Sequence, residues 1–252
     1  MKVLILAAGY ATRLHPLTLE NPKPLLKVGG EPILDKILDK VARVKGASEV
    51  YIVVNNKFFE NFKRWLDGSA HRGKPSLVND GTDSNETRLG AMKDIELVID
   101  QKAIDDDLLV IAADNLFDFD LTSFLAFTLK HQDGATVALY DIKDLDAAKR
   151  YGVVKIDGAS RVVGFQEKPP KPDSTLVSTG IYYFPKDTLA FIKEYNAKPA
   201  QKLDAPGYYI SWLAMMNKVY GFTFREPWYD IGDIETYKKV DAAYTKKERE
   251  AI

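Results

Sequence analysis

Short apolar runs separated by amphipathic segments constrain this chain more than any other feature. Val3-Leu4-Ile5-Leu6-Ala7-Ala8, Val50-Tyr51-Ile52-Val53-Val54 and Leu108-Leu109-Val110-Ile111-Ala112-Ala113 are continuous apolar stretches of strand length. That pattern belongs to strands buried on both faces. Between the first two, Ile33, Leu34, Ile37, Leu38, Val41 and Val44 recur at helical spacing. Strands alternating with helices imply an α/β fold with a mainly parallel sheet.

The same reading predicts strands over 2–7, 49–55, 76–79, 108–113, 135–140, 153–157, 162–167, 177–184 and 219–225. It predicts helices over 31–44, 57–66, 85–99, 122–130, 186–195, 206–217 and 233–247, with Asn85 as the N-cap of the third. Asp157-Gly158 reads as a hairpin turn. Neither a repeat nor a clear linker interrupts the chain. The expectation is a single domain over 1–252, with a nucleotide-binding half over about 1–140 continuous with a second half over about 141–252.

Composition narrows the function classes. The 252 residues are 46% apolar, enough for a sizeable core, and 35 basic against 36 acidic residues leave a net charge of -1. A general nucleic-acid binder would show a basic excess, so no nucleic-acid partner is expected. Cysteine is absent and the three histidines, His15, His71 and His131, are far apart, which argues against a zinc site. No apolar run approaches the roughly 20 residues of a membrane span. The first apolar run is too short for a signal peptide, so the expected setting is cytoplasmic, without a membrane partner.

The segment after the first strand, Leu6-Ala7-Ala8-Gly9-Tyr10-Ala11-Thr12-Arg13-Leu14, leads into Pro16-Leu17-Thr18 and Asn21-Pro22-Lys23-Pro24-Leu25. Backbone amides of such a loop can cradle phosphate oxygens. Arg13 can contact phosphate bidentately and Lys23 can act as a point charge. The segment is neither a Walker loop nor a dinucleotide fingerprint. Further on, Asp114 sits just past a buried strand, where parallel sheets bind ligands.

Taken together, these strings resemble the opening signature of the sugar-phosphate nucleotidylyltransferases, the nucleotide-sugar pyrophosphorylases, and are most like short glucose-1-phosphate thymidylyltransferase-type enzymes. That signature reads L-A-[AG]-G-x-G-T-R-L-x-P-L-T, followed by P-K-P-L. Ala11 departs from it, because the family carries glycine there. Ala112-Ala113-Asp114-Asn115 resembles the family's G-D-N, Tyr151-Gly152-Val153-Val154 its Y-G-V, and Phe165-Gln166-Glu167-Lys168-Pro169 its E-K-P. Val177-Ser178-Thr179-Gly180-Ile181-Tyr182 is similar to N-T-G-I-Y with Ser178 in place of asparagine, and Trp228-Tyr229-Asp230-Ile231-Gly232-Asp233 to W-x-D-x-G-[TD]. Thr87-Arg88-Leu89-Gly90-Ala91 matches the base-reading G-T-A-G-A only in its last two positions.

The resemblance implies a Rossmann-like, mixed, mostly parallel sheet flanked by helices, of the nucleotide-diphospho-sugar transferase type. It assigns Arg13 and Lys23 to catalysis. Nucleotide binding goes to Leu6, Ala8, Gly9, Asn79, Gly90 and Asp114, with Arg88 and Asn79 as candidates for altered base contacts. Sugar-phosphate binding goes to Gly152, Glu167, Lys168 and Thr179, and metal binding to Asp114 and Asp230. Asp233 reads as an N-cap. Two carboxylates suit Mg2+ as cofactor. The implied reaction joins a nucleoside triphosphate to a sugar 1-phosphate, giving an NDP-sugar and pyrophosphate. Glucose 1-phosphate with dTTP or UTP is the first choice of substrates. A cytidylyltransferase acting on choline phosphate or another phosphorylated acceptor is the alternative, and a non-catalytic nucleotide-sugar-binding regulatory protein is the reading of another class. With its end at Ile252, the chain is expected to lack the C-terminal β-helix of acyl-transferring relatives. Homo-oligomerisation is left open.

Overall fold

The computed structural model describes residues 1–71, 74–198, 205–216 and 218–250. In chain order the elements begin with β1 (Lys2–Leu6), β2 (Lys27–Val28), β3 (Glu31–Pro32), α1 (Ile33–Ala42), β4 (Glu49–Val54), α2 (Phe59–Gly68), β5 (Pro75–Asn79) and α3 (Ala91–Gln101). There follow β6 (Leu108–Ala112), β7 (Asn115–Phe117), α4 (Leu121–Thr128), β8 (Ala135–Asp141), α5 (Leu145–Ala148), β9 (Gly152–Ile156), β10 (Val162–Glu167) and β11 (Leu176–Phe184). The last are α6 (Leu189–Asn196), α7 (Pro206–Ala214), β12 (Val219–Phe224), β13 (Trp228–Asp230) and α8 (Ile234–Glu250).

Nine strands form one mixed sheet. Its parallel portion runs β5-β4-β1-β6, with Ile5 opposite both Ile52 and Ile111. β11 then joins β6 antiparallel, through Ile181 opposite Ile111. From β11 the sheet branches to β8, which carries β12 in parallel, and to β9, which carries β10. Side chains alternate across the pleat. Val3, Ile5, Leu109 and Ile111 therefore pack on one face with α1 and α4, while Leu4, Leu108 and Val110 pack on the other with α3, α6 and α7. Burial on both faces explains why β1 and β6 are apolar throughout rather than alternating.

Several boundaries differ from the sequence reading. α1 begins at Ile33 rather than residue 31, because Pro32 is extended and Glu31–Pro32 pairs with Lys27–Val28 as a two-stranded ribbon. α3 begins at Ala91, with Gly90 rather than Asn85 in the N-cap position at φ 89. Residues 84–87 instead form a turn in which Thr87 N–H donates to the Ser84 carbonyl and the two hydroxyls associate. Such local side-chain bonds compete with helix formation. The predicted 206–217 helix ends at Ala214, Met215 and Met216 forming a turn in which Met216 N donates to the Leu213 carbonyl, and Asn217 lies outside the described residues. The sequence reading missed α5 and the antiparallel β7–β13 ribbon, which pairs Trp228 with Phe117 and Asp230 with Asn115.

Candidate active site

The loop leaving β1 is held from below. Asn55, fully buried, donates to the Ala8 carbonyl at 2.9 Å and accepts from Phe58 N at 3.0 Å. Ala11 adopts φ 47 and ψ 43, the left-handed region that glycine enters freely and alanine enters with strain. Its carbonyl accepts from Thr18 Oγ1 at 2.8 Å and Leu14 N at 2.9 Å. Thr12–Leu14 then forms one tight helical turn. Leu14 points into the core, so Arg13 emerges on the open side. Lys23 opens a second such turn after the extended Pro22, and its side chain runs inward, only 9% exposed, to reach Asp114 Oδ2 at 3.4 Å.

Asp114 and Asp230 come from positions 116 residues apart, and the β7–β13 ribbon brings them together. Asp230 lies opposite Asn115, and Ile231 N donates to the Asp114 carbonyl at 3.3 Å. Asn115 locks the ribbon: its Oδ1 accepts from Trp228 Nε1 at 3.1 Å, and its Nδ2 donates to Asp114 Oδ1 at 3.2 Å. Burial, then the neighbouring Asp114 charge, pushes the Asp230 carboxyl above its ordinary value, opposed by Lys23, Arg13 and a hydrogen bond with Tyr151. The Tyr151 hydroxyl is correspondingly pushed up to about 12, chiefly by burial and then by Asp230. A methyl on Gly232 would stand 3.6 Å from Asp230 Oδ2 and 3.9 Å from Arg13 Nη1, so the guanidinium and the second carboxylate border the same space.

Glu167 ends β10 directly opposite Gly152, and its side chain is 9% exposed. It lies in a slot that requires missing side chains. A Cβ on Gly207 would come within 2.0 Å of Glu167 Oε2, and one on Gly152 within 2.5 Å of the Phe165 ring. Burial raises the Glu167 carboxyl above its usual range, while Lys168, 3.7 Å away, counteracts this. Gly180, at φ 77, sits where β11 shifts register against β8, and a Cβ there would press at 3.0 Å on both Ala112 and Asn115. The Thr179 hydroxyl beside it donates to the Ala138 carbonyl at 3.0 Å.

These groups line one cavity of about 460 Å³ at the carboxyl ends of the central strands. Arg13, Asp114, Gly152, Glu167, Lys168, Thr179 and Asp230 all border it, and Lys23 joins them through Asp114. Leu6, Ala8, Gly9, Asn79 and Gly90 are not part of its lining. Asn79 is occupied locally, donating to Asn56 Oδ1 at 2.7 Å and accepting from Gly81 N at 2.8 Å. Arg88 Nη1 donates to the Asn85 carbonyl at 2.6 Å. Gly90 closes the turn before α3. The sequence reading missed Arg150, Asn115 and Gly207 in the wall. Arg150 directly precedes Tyr151-Gly152, which was a usable signal; nothing in sequence pairs Gly207 with Glu167.

The sequence pattern described as nucleotidyl transferase matches residues 2–247. Among curated proteins, the chain is 28% identical over 240 residues to the bifunctional protein GlmU of Methanococcus aeolicus, covering 92% of this chain and 51% of that protein. It is 32% identical over 185 residues to the UTP–glucose-1-phosphate uridylyltransferase AglF of Haloferax volcanii, covering 73% of this chain and 72% of that protein. The chain thus spans about half the length of the first of these relatives. A solved UDP-glucose pyrophosphorylase complexed with UDP-glucose superposes with a TM-score of 0.83 at 22% identity, over 98% of both chains, a likeness of fold.

Proposed function

The chain belongs to the nucleotidyl transferase family, and from that premise we propose that it joins a nucleoside triphosphate to a sugar 1-phosphate, releasing pyrophosphate and an NDP-sugar. The observation that carries the reading is the convergence on one cavity of two carboxylates from the β7–β13 ribbon, the cations Arg13 and Lys23 beside them, and the Glu167-Lys168 pair facing them. In this reading 1–252 works as one unit, with the acceptor bound by its second half.

The attacking atom is a phosphate oxygen of the sugar 1-phosphate, and the bond broken joins the α-phosphorus to the departing pyrophosphate. The nucleophile is already anionic, so the site needs no general base. Its work is positioning and charge stabilisation. Arg13 grips the terminal phosphates and Lys23 neutralises charge near the α-phosphate. Glu167, fixed between Gly152 and Gly207, accepts hydrogen bonds from acceptor hydroxyls, and Lys168 orients the acceptor's phosphate. Leu6, Ala8 and Gly9 offer backbone groups to the nucleotide, and Asn79 and Gly90, outside the cavity lining, are assigned to the base by the family resemblance alone.

Among the described residues no group of three or more histidine, aspartate or glutamate side chains could hold a metal ion. Asp114 and Asp230 nonetheless fit Mg2+. Their donor set is hard oxygen only, and this ion is held through one or two carboxylates plus substrate phosphates. When bound, it would withdraw charge from the phosphate oxygens.

AglF is named for UTP and glucose 1-phosphate, so that pair heads the test, with dTTP next. Pyrophosphate release is measured for five nucleoside triphosphates against several sugar 1-phosphates and choline phosphate, with Mg2+. Turnover with CTP and choline phosphate alone would replace this reading by the cytidylyltransferase. No release from any combination would leave the regulatory, non-catalytic reading in its place.

A further inference from the structure

The loop between β1 and the Thr12–Leu14 turn delivers Arg13 to the cavity, yet it has little backbone support of its own. Among the described residues none of the Gly9, Tyr10 and Ala11 N–H groups meets a hydrogen-bond acceptor. Unpaired loop amides suit an anion, but they do nothing to hold the loop before the anion arrives. The two ends are tied, by Asn55 to the Ala8 carbonyl and by Thr18 Oγ1 to the Ala11 carbonyl. Between those ties stands Tyr10, whose ring is buried in the core.

The Tyr10 hydroxyl lies 2.9 Å from Thr82 Oγ1, 72 residues along the chain. Thr82 is itself fixed. Its hydroxyl donates to both Asp80 carboxylate oxygens, at 2.8 and 3.0 Å, and its N–H donates to Asp80 Oδ1 at 2.7 Å. Its carbonyl accepts from Asn56 N at 2.8 Å. A carboxylate only accepts, so the single Thr82 hydroxyl proton is committed to Asp80 and Tyr10 is the donor to Thr82. Among the described residues this is the one side-chain hydrogen bond between residues 8–14 and 79–90. Ala11 follows directly, at φ 47. A non-glycine residue stays in the left-handed region only where its surroundings over-determine it. Thr18 and Leu14 hold Ala11 from its carbonyl side, and Tyr10 holds it from its amide side.

We propose that Tyr10 is a positioning residue for polyphosphate: through Thr82 it keeps Ala11 left-handed, so that the loop amides and Arg13 are in place before a nucleotide binds. The proposal rests on the transfer reading above for the identity of the loop's ligand. Inorganic tripolyphosphate is the probe, because it carries no base. It is titrated calorimetrically into wild type, Tyr10→Phe, Thr82→Val, Ala11→Gly and each of the first two variants combined with Ala11→Gly. Tyr10→Phe keeps the ring and removes only the bond, so binding has to drive a relaxed Ala11 back into its strained conformation; affinity is expected to fall about 5- to 20-fold. Thr82→Val removes the same bond from its other partner and gives a similar loss. Glycine enters the left-handed region freely, so Ala11→Gly alone stays within about twofold of wild type and brings either double variant back to within about threefold. In steady state the nucleotide KM of Tyr10→Phe rises by the same factor as the calorimetric loss, while the acceptor KM moves less than about twofold. Unchanged binding in Tyr10→Phe would overturn the proposal. So would double variants as weak as the single ones, since the bond would then serve packing alone. A wild type that binds no tripolyphosphate would remove the transfer reading and this role with it. The expected pattern without any pyrophosphate release would keep Tyr10 in its role and remove only the transfer reading.

Discussion

Asp94 lies in the first turn of α3 with 7% of its surface exposed, and its Oδ1 meets no hydrogen-bond partner among the described residues. Burial, and then the charge of Asp80, pushes its carboxyl up to about 7. A carboxyl raised above its unfolded value of about 3.9 opposes folding once ionised. Its contribution to stability is intact below about pH 4, declines as pH rises towards 7, and stays lost above that. Asp94→Asn is therefore expected to raise the unfolding free energy at pH 8 by ~2–4 kcal/mol and to change it little at pH 4, as read from urea denaturation at the two pH values. Ala11 gives a second expectation. Its φ of 47 places a Cβ in the left-handed region at a cost of roughly 1–2 kcal/mol, offset in part by the greater unfolded entropy of glycine. Ala11→Gly should stabilise the protein by up to ~1 kcal/mol, and a lower denaturation midpoint would contradict the strain. The departure of Ala11 from the glycine of related sequences was legible; the backbone conformation that makes it matter was not.

Among the elements, the three-residue strands β7 and β13 decide most about the site. Each is too short to show a periodicity of its own, and they lie more than a hundred residues apart, so no window of sequence contains the pair. Their register sets Asp230 beside Asp114. Asn115 carries that register through its bond to the buried Trp228 indole. Asn115→Ala leaves the indole N–H unpaired and is expected to cost ~1–3 kcal/mol, and, on the proposed transfer reading, to lower pyrophosphate release further as the aspartates lose alignment. A variant with wild-type stability would show the ribbon to be held otherwise. By contrast, β1, β4 and β6 were readable to within a residue, since four or five consecutive apolar residues leave no other short element to choose. The 84–90 segment was not: its spacing looked helical, but the Thr87 hydroxyl bonds the Ser84 backbone instead, accepting from its N–H and donating to its carbonyl, and α3 starts only after Gly90.

For the whole molecule, the branching strand β11 ties the parallel portion, through β6, to β8, β9 and their partners. A sheet continuous across the expected boundary near residue 140 argues that both halves unfold together. Trp65 reports on the first half, Trp212 and Trp228 on the second. Far-UV circular dichroism and tryptophan fluorescence are expected to give coincident urea transitions, and two separated transitions would divide the chain into independent units. Periodicity and apolar runs were enough to determine the α/β class and most strands, and motif strings singled out candidate residues for phosphate and metal. Those are local properties, set by which side chains neighbour one another along the chain. Tertiary structure alone decided which of them share a cavity: Asp114 with Asp230, Glu167 between Gly152 and Gly207, and Arg150 beside Lys168. Such placements follow from strand register and from the space left by absent side chains, and both arise only once distant segments pack.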